Sequence, residues 1–215
     1  MFLDTSILPA GQQLALAYAG QGRAVIGAGL LLDTRLGMSL RGASEPIVAQ
    51  LKLAWWRDRF AEDPAAWPTG EPLLGALQGW RTSLNGLGSL IDGWEVLTSE
   101  RLDTEAVTRF WRGRMELWRI MAAELGTAYR AQALEDAVRF WALGDLAAHV
   151  RDDAERATIK AMARPASPLP ALPRRLRPLL VLSALGRRGL VRGGAPLVDG
   201  IGTLPLALRV GIIGR

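Results

Sequence analysis

Cysteine is absent from this chain, and histidine occurs once, at His149. The first absence excludes disulfide staples and thiolate chemistry and fits a reducing compartment. The second excludes a metal centre built from several imidazoles. No stretch of roughly 18 uncharged apolar residues occurs, so no membrane-spanning segment is expected. Residues 1–10 lack the basic segment and long apolar run of a secretory leader, and the expected location is the cytoplasm. Phosphate-cradling glycine loops, nucleophile elbows and Cys/His metal spacings are missing too. So are period-2 apolar runs joined by hairpin turns, and any internal repeat.

What remains is helical. At 215 residues the chain is long enough for one domain with a real core. Six or more segments with helical apolar spacing, joined by short loops, argue for an all-α bundle. Residues 11–38 read as helix in two pieces, interrupted by Gly20, Gly22, Gly27 and Gly29. Each glycine inside a helix costs about 1 kcal/mol against alanine, so these either break the helix or mark close helix packing. Residues 44–60, SEPIVAQLKLAWWRDRF, read as a helix capped by Ser44 and opened by Pro46. Ile47, Leu51, Ala54 and Trp55 form its apolar stripe, which the plainer reading turns toward the core.

Residues 62–72 hold three prolines and read as a loop. Further helices are expected over residues 73–84, 87–97, 104–125 and 131–162. Thr104 caps the third of these, and Gly144 interrupts the fourth. The chain thus divides into a helical core over 1–163, a proline-rich linker over 164–178 and a basic helical segment over 179–215 packed on the same domain. Helices are expected there at 179–185 and 206–213.

Charge is unevenly placed and its basic part is almost all arginine. Residues 164–215 carry nine arginines and one acid, Asp199, for a net +8, whereas residues 1–163 sum to −3. A basic tail favours anionic partners: lipid headgroups, diphosphates or nucleic acid. A merely solvated surface is the plainer alternative. Nucleic acid is not expected, because the tail lacks interleaved aromatics and any reading motif.

Three acidic groupings are candidates for chemistry. Asp33 stands on an apolar helix and must face solvent, find a base or serve a site. Asp145, His149, Asp152 and Arg156 are spaced 4, 3 and 4 apart, which puts them on one face of a continuous helix. That face suits a carboxylate-bound cation or a solvated surface, and Arg156 stands where a second carboxylate would share the cation. Asp92 and Glu95 form the third grouping. His149 suits a general base or a structural role.

These segments together resemble the squalene/phytoene synthase family. The likeness rests on Glu45-Pro46 followed by LKLAWWRDRF over 51–60, with Asp33 on the preceding helix. Ile91-Asp92-Gly93-Trp94-Glu95, Val150-Arg151-Asp152 with Glu155, and LPRRLRPLLVLSALGRR over 172–188 add to it, so that it spans about residues 10–190. The resemblance implies an isoprenoid-synthase type of helical bundle around a central apolar cavity. It also implies head-to-head joining of prenyl diphosphates, with Mg²⁺ bridging two DxxxD-type motifs to the diphosphates. Hard oxygen ligands at i and i+4 share one cation across one helix turn. Here both motifs depart from that pattern: Gly37 closes the one begun by Asp33, and Arg156 closes the one begun by Asp152. Leu97 stands at the position of a turn aspartate, and Asp145 and Ala148 replace the glutamine and asparagine that precede the second motif.

Two functions follow from the resemblance. The favoured one is a non-catalytic or weakly catalytic protein that binds an isoprenoid or lipid, or acts as an assembly factor at the membrane surface. The family's divergent relative in respiratory complex I assembly makes a respiratory-complex protein a candidate partner. The basic C-terminal segment would then rest on anionic headgroups, peripheral at the inner face of the membrane. The alternative is an active Mg²⁺-dependent prenyl transferase with a rearranged metal site. Its candidate residues are Asp33, Arg57, Asp58, Asp145, His149, Arg151, Asp152 and Glu155. Asp33 and Asp152 would bind Mg²⁺, and Arg57 and Arg151 would hold an isoprenoid diphosphate.

Overall fold

The computed structural model describes residues 3–42, 45–99 and 101–214. Among them are ten α-helices and no strand, so the chain is an all-α bundle. None of the described helices is long and apolar enough to cross a membrane.

Helices α1 (Ala10–Leu16) and α2 (Arg23–Arg41) are the two expected pieces of residues 11–38. A 3-10 turn at Gly20–Gly22 separates them, with Gly20 at φ +52°. Within α2 the glycines mark contact. A Cβ on Gly29 would overlap the Met121 sulfur, and one on Gly37 would press into the Trp94 ring.

Helix α3 (Pro46–Ala61) opens on Pro46, while Ser44, the expected cap, lies outside the described residues. This helix is turned opposite to the expected way. Ala49, Leu53 and Trp56 are buried, whereas Ile47, Leu51 and Trp55 are exposed. Both faces are apolar, so spacing could not choose between them. The aromatic partners of Trp56 did: its ring stacks on Phe60 at 5.8 Å, and Phe60 meets Trp67 edge-on.

Helix α4 (Pro72–Gln78) stops at Gly79, short of the expected residue 84. Helix α5 (Leu87–Glu95) lies along α6 (Thr104–Glu124). Asp103 rather than Thr104 caps α6, accepting the Ala106 N–H at 2.8 Å. Its backbone is extended, so its carboxylate turns back over the first turn where Thr104 is already helical.

Helix α7 (Ala131–His149) runs through Gly144 unbroken. The break falls at residues 150–152, and α8 (Asp153–Ala163) begins there. Asp152 caps α8 by accepting the Glu155 N–H at 2.9 Å. Asp152 and Glu155 have the spacing of a capping box, a firmer start signal than one glycine is a stop. Arg156 then closes the end of α7, donating to the carbonyls of Val150 at 2.6 Å and Ala147 at 3.3 Å. The expected common face is therefore split: Asp145 and His149 belong to α7, Asp152 and Arg156 to the start of α8.

Helix α9 (Arg177–Val191) is longer than the expected residues 179–185 and is buried from Pro178 to Gly186. It crosses α7 where Gly144 meets Gly186, and a Cβ on either would overlap the other helix's backbone. Helix α10 (Thr203–Ile213) packs on α9 and α1. The core lies between α2, α5, α6, α7 and α9, with Trp118 and Trp141 fully enclosed.

Candidate functional site

Helix α2 carries Asp33 into the middle of the bundle, and α6 carries Arg114 to meet it. Arg114 sits in the buried stripe of α6 with Val107, Phe110, Leu117, Trp118 and Met121. Its Nε and Nη2 donate to Oδ1 and Oδ2 of Asp33, each at 2.9 Å. This is the bidentate fork that suits guanidinium and carboxylate. Trp94 of α5 donates its indole N–H to Oδ1 at 3.0 Å, and Gln12 of α1 donates to Oδ2 at 3.4 Å. The Thr34 hydroxyl donates to the Gln12 amide oxygen at 2.9 Å and orients that amide. On the far side, Nη1 of Arg114 stands 2.9 Å from Oδ2 of Asp145 on α7, as an ion pair without hydrogen-bond alignment.

Aromatic rings enclose the cation. The Arg114 guanidinium carbon lies 4.3 Å from the Trp141 ring centre, 4.6 Å from Phe110 and 5.0 Å from Trp94. Ring faces attract a cation, the more so where water is excluded. One point thus ties five helices together: α1, α2, α5, α6 and α7.

Two acids share one base here. Burial pushes the Asp33 carboxyl above its usual range and Asp145 adds to the push, while Arg114 and Trp94 pull the other way. Burial opposes the charge on Arg114, but Asp33 and Asp145 outweigh it and hold the guanidinium above its ordinary value. Asp33 is 0% exposed and Arg114 1%. An ionised carboxylate has about four acceptor sites. Those of Asp33 face Arg114 twice, Trp94 and Gln12, which leaves none for a metal ion. Among the described residues no group of three or more His, Cys, Asp or Glu is placed to hold a metal ion. The residues present do not fit Mg²⁺.

The other expected site residues are dispersed. Asp152 is exposed and engaged in capping, and Glu155 accepts the Leu102 N–H at 2.9 Å. Asp58 and Arg151 are exposed. His149 turns Nδ1 to the Asp145 carbonyl 2.7 Å away. Arg57 reaches Asp92 at 2.7 Å and Glu95 at 2.8 Å, tying α3 to α5. Hydrogen bonding to Asp92, with Glu95 second among the partners, raises its guanidinium further, against some burial. Asp33 and Asp145 are the two expected site residues brought together at the buried centre, and Arg114 joins them.

Arg114, Gln12 and the role of Trp94 were missed by the sequence reading. A signal existed for Arg114, a charge inside an otherwise apolar helical stripe. Between Asp33 and α7 the space holds Arg114 and its rings rather than an apolar hollow. A cleft of about 190 Å³ opens beside Asp145, lined by Gln12, Trp141, His149 and Leu197. That is below the ~300–1,000 Å³ of ordinary ligand pockets. Comparison with protein-family models, with curated proteins and with solved structures gave no match.

Proposed function

We propose that this chain is a squalene/phytoene synthase-like protein that does not join prenyl diphosphates. It works through its surface, as a lipid- or partner-binding scaffold peripheral to an anionic membrane face. One observation carries the non-catalytic part: the Arg114 guanidinium stands between Asp33 and Asp145. In the family it resembles, acids on facing helices hold exchangeable Mg²⁺ against diphosphate. Here the cation is a covalent part of the chain, forked onto the acid of the first motif and sealed from solvent. A fixed cation of this kind stabilises the helices but does not exchange for metal or meet substrate.

The membrane part is supported by the +8 charge of residues 164–215. The exposed Ile47, Leu51 and Trp55 of α3 offer a face for a protein partner, and the resemblance points to a respiratory-complex protein.

The test is incubation of the purified chain with farnesyl or geranylgeranyl diphosphate and Mg²⁺ or Mn²⁺, followed by product analysis. Intact diphosphates and no head-to-head product are expected. Formation of a joined C30 or C40 product would restore the prenyl transferase reading.

A further inference from the structure

We propose that α10 is an in-plane membrane anchor, which lays its outward face into the interface of an anionic lipid surface. This deepens the membrane part of the proposed function and rests on it, but not on the family resemblance.

Polar side chains hold α10 at both of its ends. At its start, the Thr203 hydroxyl accepts the Asp199 N–H and donates to the Asp199 carbonyl, each at 3.1 Å. Arg188 donates to the same carbonyl at 2.8 Å. At its end, Arg177 donates to the carbonyls of Val210 at 3.0 Å and Ile213 at 3.3 Å. Tyr18 packs so closely on Gly211 that a Cβ there would overlap its ring. These contacts fix which side of α10 turns toward α9 and α1 and which side stays outside.

That outer face is apolar. Leu204 is 60% exposed, Leu208 51% and Ile212 70%, and their spacing of 4 and 4 makes one stripe; Ile201, 96% exposed, stands in the turn just before the helix. Pro205 lies on the same side, and Arg209 on its margin is exposed. No acid occurs between Gly200 and Gly214. The nearest one before it, Asp199, is neutralised by Arg192 at 3.1 Å. Three large aliphatic side chains facing water along one helix, with Ile201 beside its start, mark an interaction site.

Charge and area choose lipid as the occupant. An 11-residue helix is about 16 Å long. One stripe of it falls well below the roughly 800 Å² per partner of a stable protein interface. A second copy would also bring Arg209 toward its own equivalent. A lipid interface needs no matching shape: it takes the aliphatic stripe among the upper acyl chains and leaves arginine at the headgroups.

The absence of cysteine gives a clean test. Leu208→Cys, labelled with an environment-sensitive fluorophore, is mixed with phosphatidylcholine vesicles with and without phosphatidylglycerol. Ala157→Cys on the exposed side of α8 serves as the control label. The Leu208 label should shift to the blue on anionic vesicles, and the Ala157 label should not. In flotation, the L204S/L208S/I212S variant should lose partitioning on the order of tenfold or more, with its helical circular dichroism unchanged.

Wild-type chain that binds neither vesicle overturns the membrane reading and the anchor together. Wild-type binding that the triple variant retains, or a Leu208 label that stays in water, overturns the anchor alone. A wild-type dimer in lipid-free sedimentation that the triple variant abolishes would assign the face to a second copy and overturn the proposal.

Discussion

Arg114 and Asp33, 81 residues apart in the chain, meet through two N–H···O bonds of 2.9 Å in a core that admits solvent to neither. A contact of this kind specifies register. Sliding α6 by one residue against α2 would bury both charges without partners, which is far costlier than mispacking two leucines. The partly exposed bridge from Arg57 to Asp92 and Glu95 differs in kind, because water screens it.

Removing the cation should therefore be severe. Arg114→Met leaves Asp33 buried with no base beside it, and is expected to cost about 3–5 kcal/mol in urea unfolding. Adding Asp33→Leu to that variant should recover most of the loss, since an apolar pair of similar volume needs no partner. A single-variant cost below about 1 kcal/mol would show that the pair does not organise the core.

The pH dependence has a definite sign. The Asp33 carboxyl is raised in the folded state above its ordinary 3.8, so the folded chain holds that proton more firmly than the unfolded chain. Its contribution is complete below 3.8 and is lost as pH rises through the raised folded value. The stability of wild type relative to Asp33→Asn should accordingly shrink from pH 3.8 upward, measured by urea unfolding across a pH series. A relative stability that grows with pH over that window would contradict the direction.

Gly144 should be irreplaceable for steric reasons rather than conformational ones. It lies inside α7 with ordinary helical geometry, but a Cβ there would overlap the Gly186 backbone of α9. Gly144→Ala is expected to push α7 and α9 apart and lower stability by about 1–3 kcal/mol, despite alanine's better helix propensity. Thermal unfolding checks this; a variant as stable as wild type would mean the helices separate at no cost.

Much of the architecture was legible in the chain. The two pieces of residues 11–38, the proline loop at 62–72, α5 and the long α6 and α7 all follow from apolar period and from glycine and proline punctuation. Less was legible at the boundaries. Gly144 is a weaker stop than the Asp152–Glu155 spacing is a start, so the helix break falls several residues beyond the glycine and Asp145 and Asp152 stand on separate helices. On α3 both faces are apolar, and the spacing of Ile47, Leu51 and Trp55 pointed to the side that the structure leaves in water.

The amino-acid sequence by itself determined that this is an all-helical chain, roughly where most of its helices lie, and that its tail is basic. Those properties come from local rules: backbone propensity, side-chain period and summed charge. Tertiary structure alone decided that Asp33 is answered by Arg114, that α3 turns Trp56 inward, and that α10 keeps an aliphatic stripe outside. Each depends on which distant surface an element meets, and a side chain's partner 81 residues away leaves no trace in its own neighbourhood.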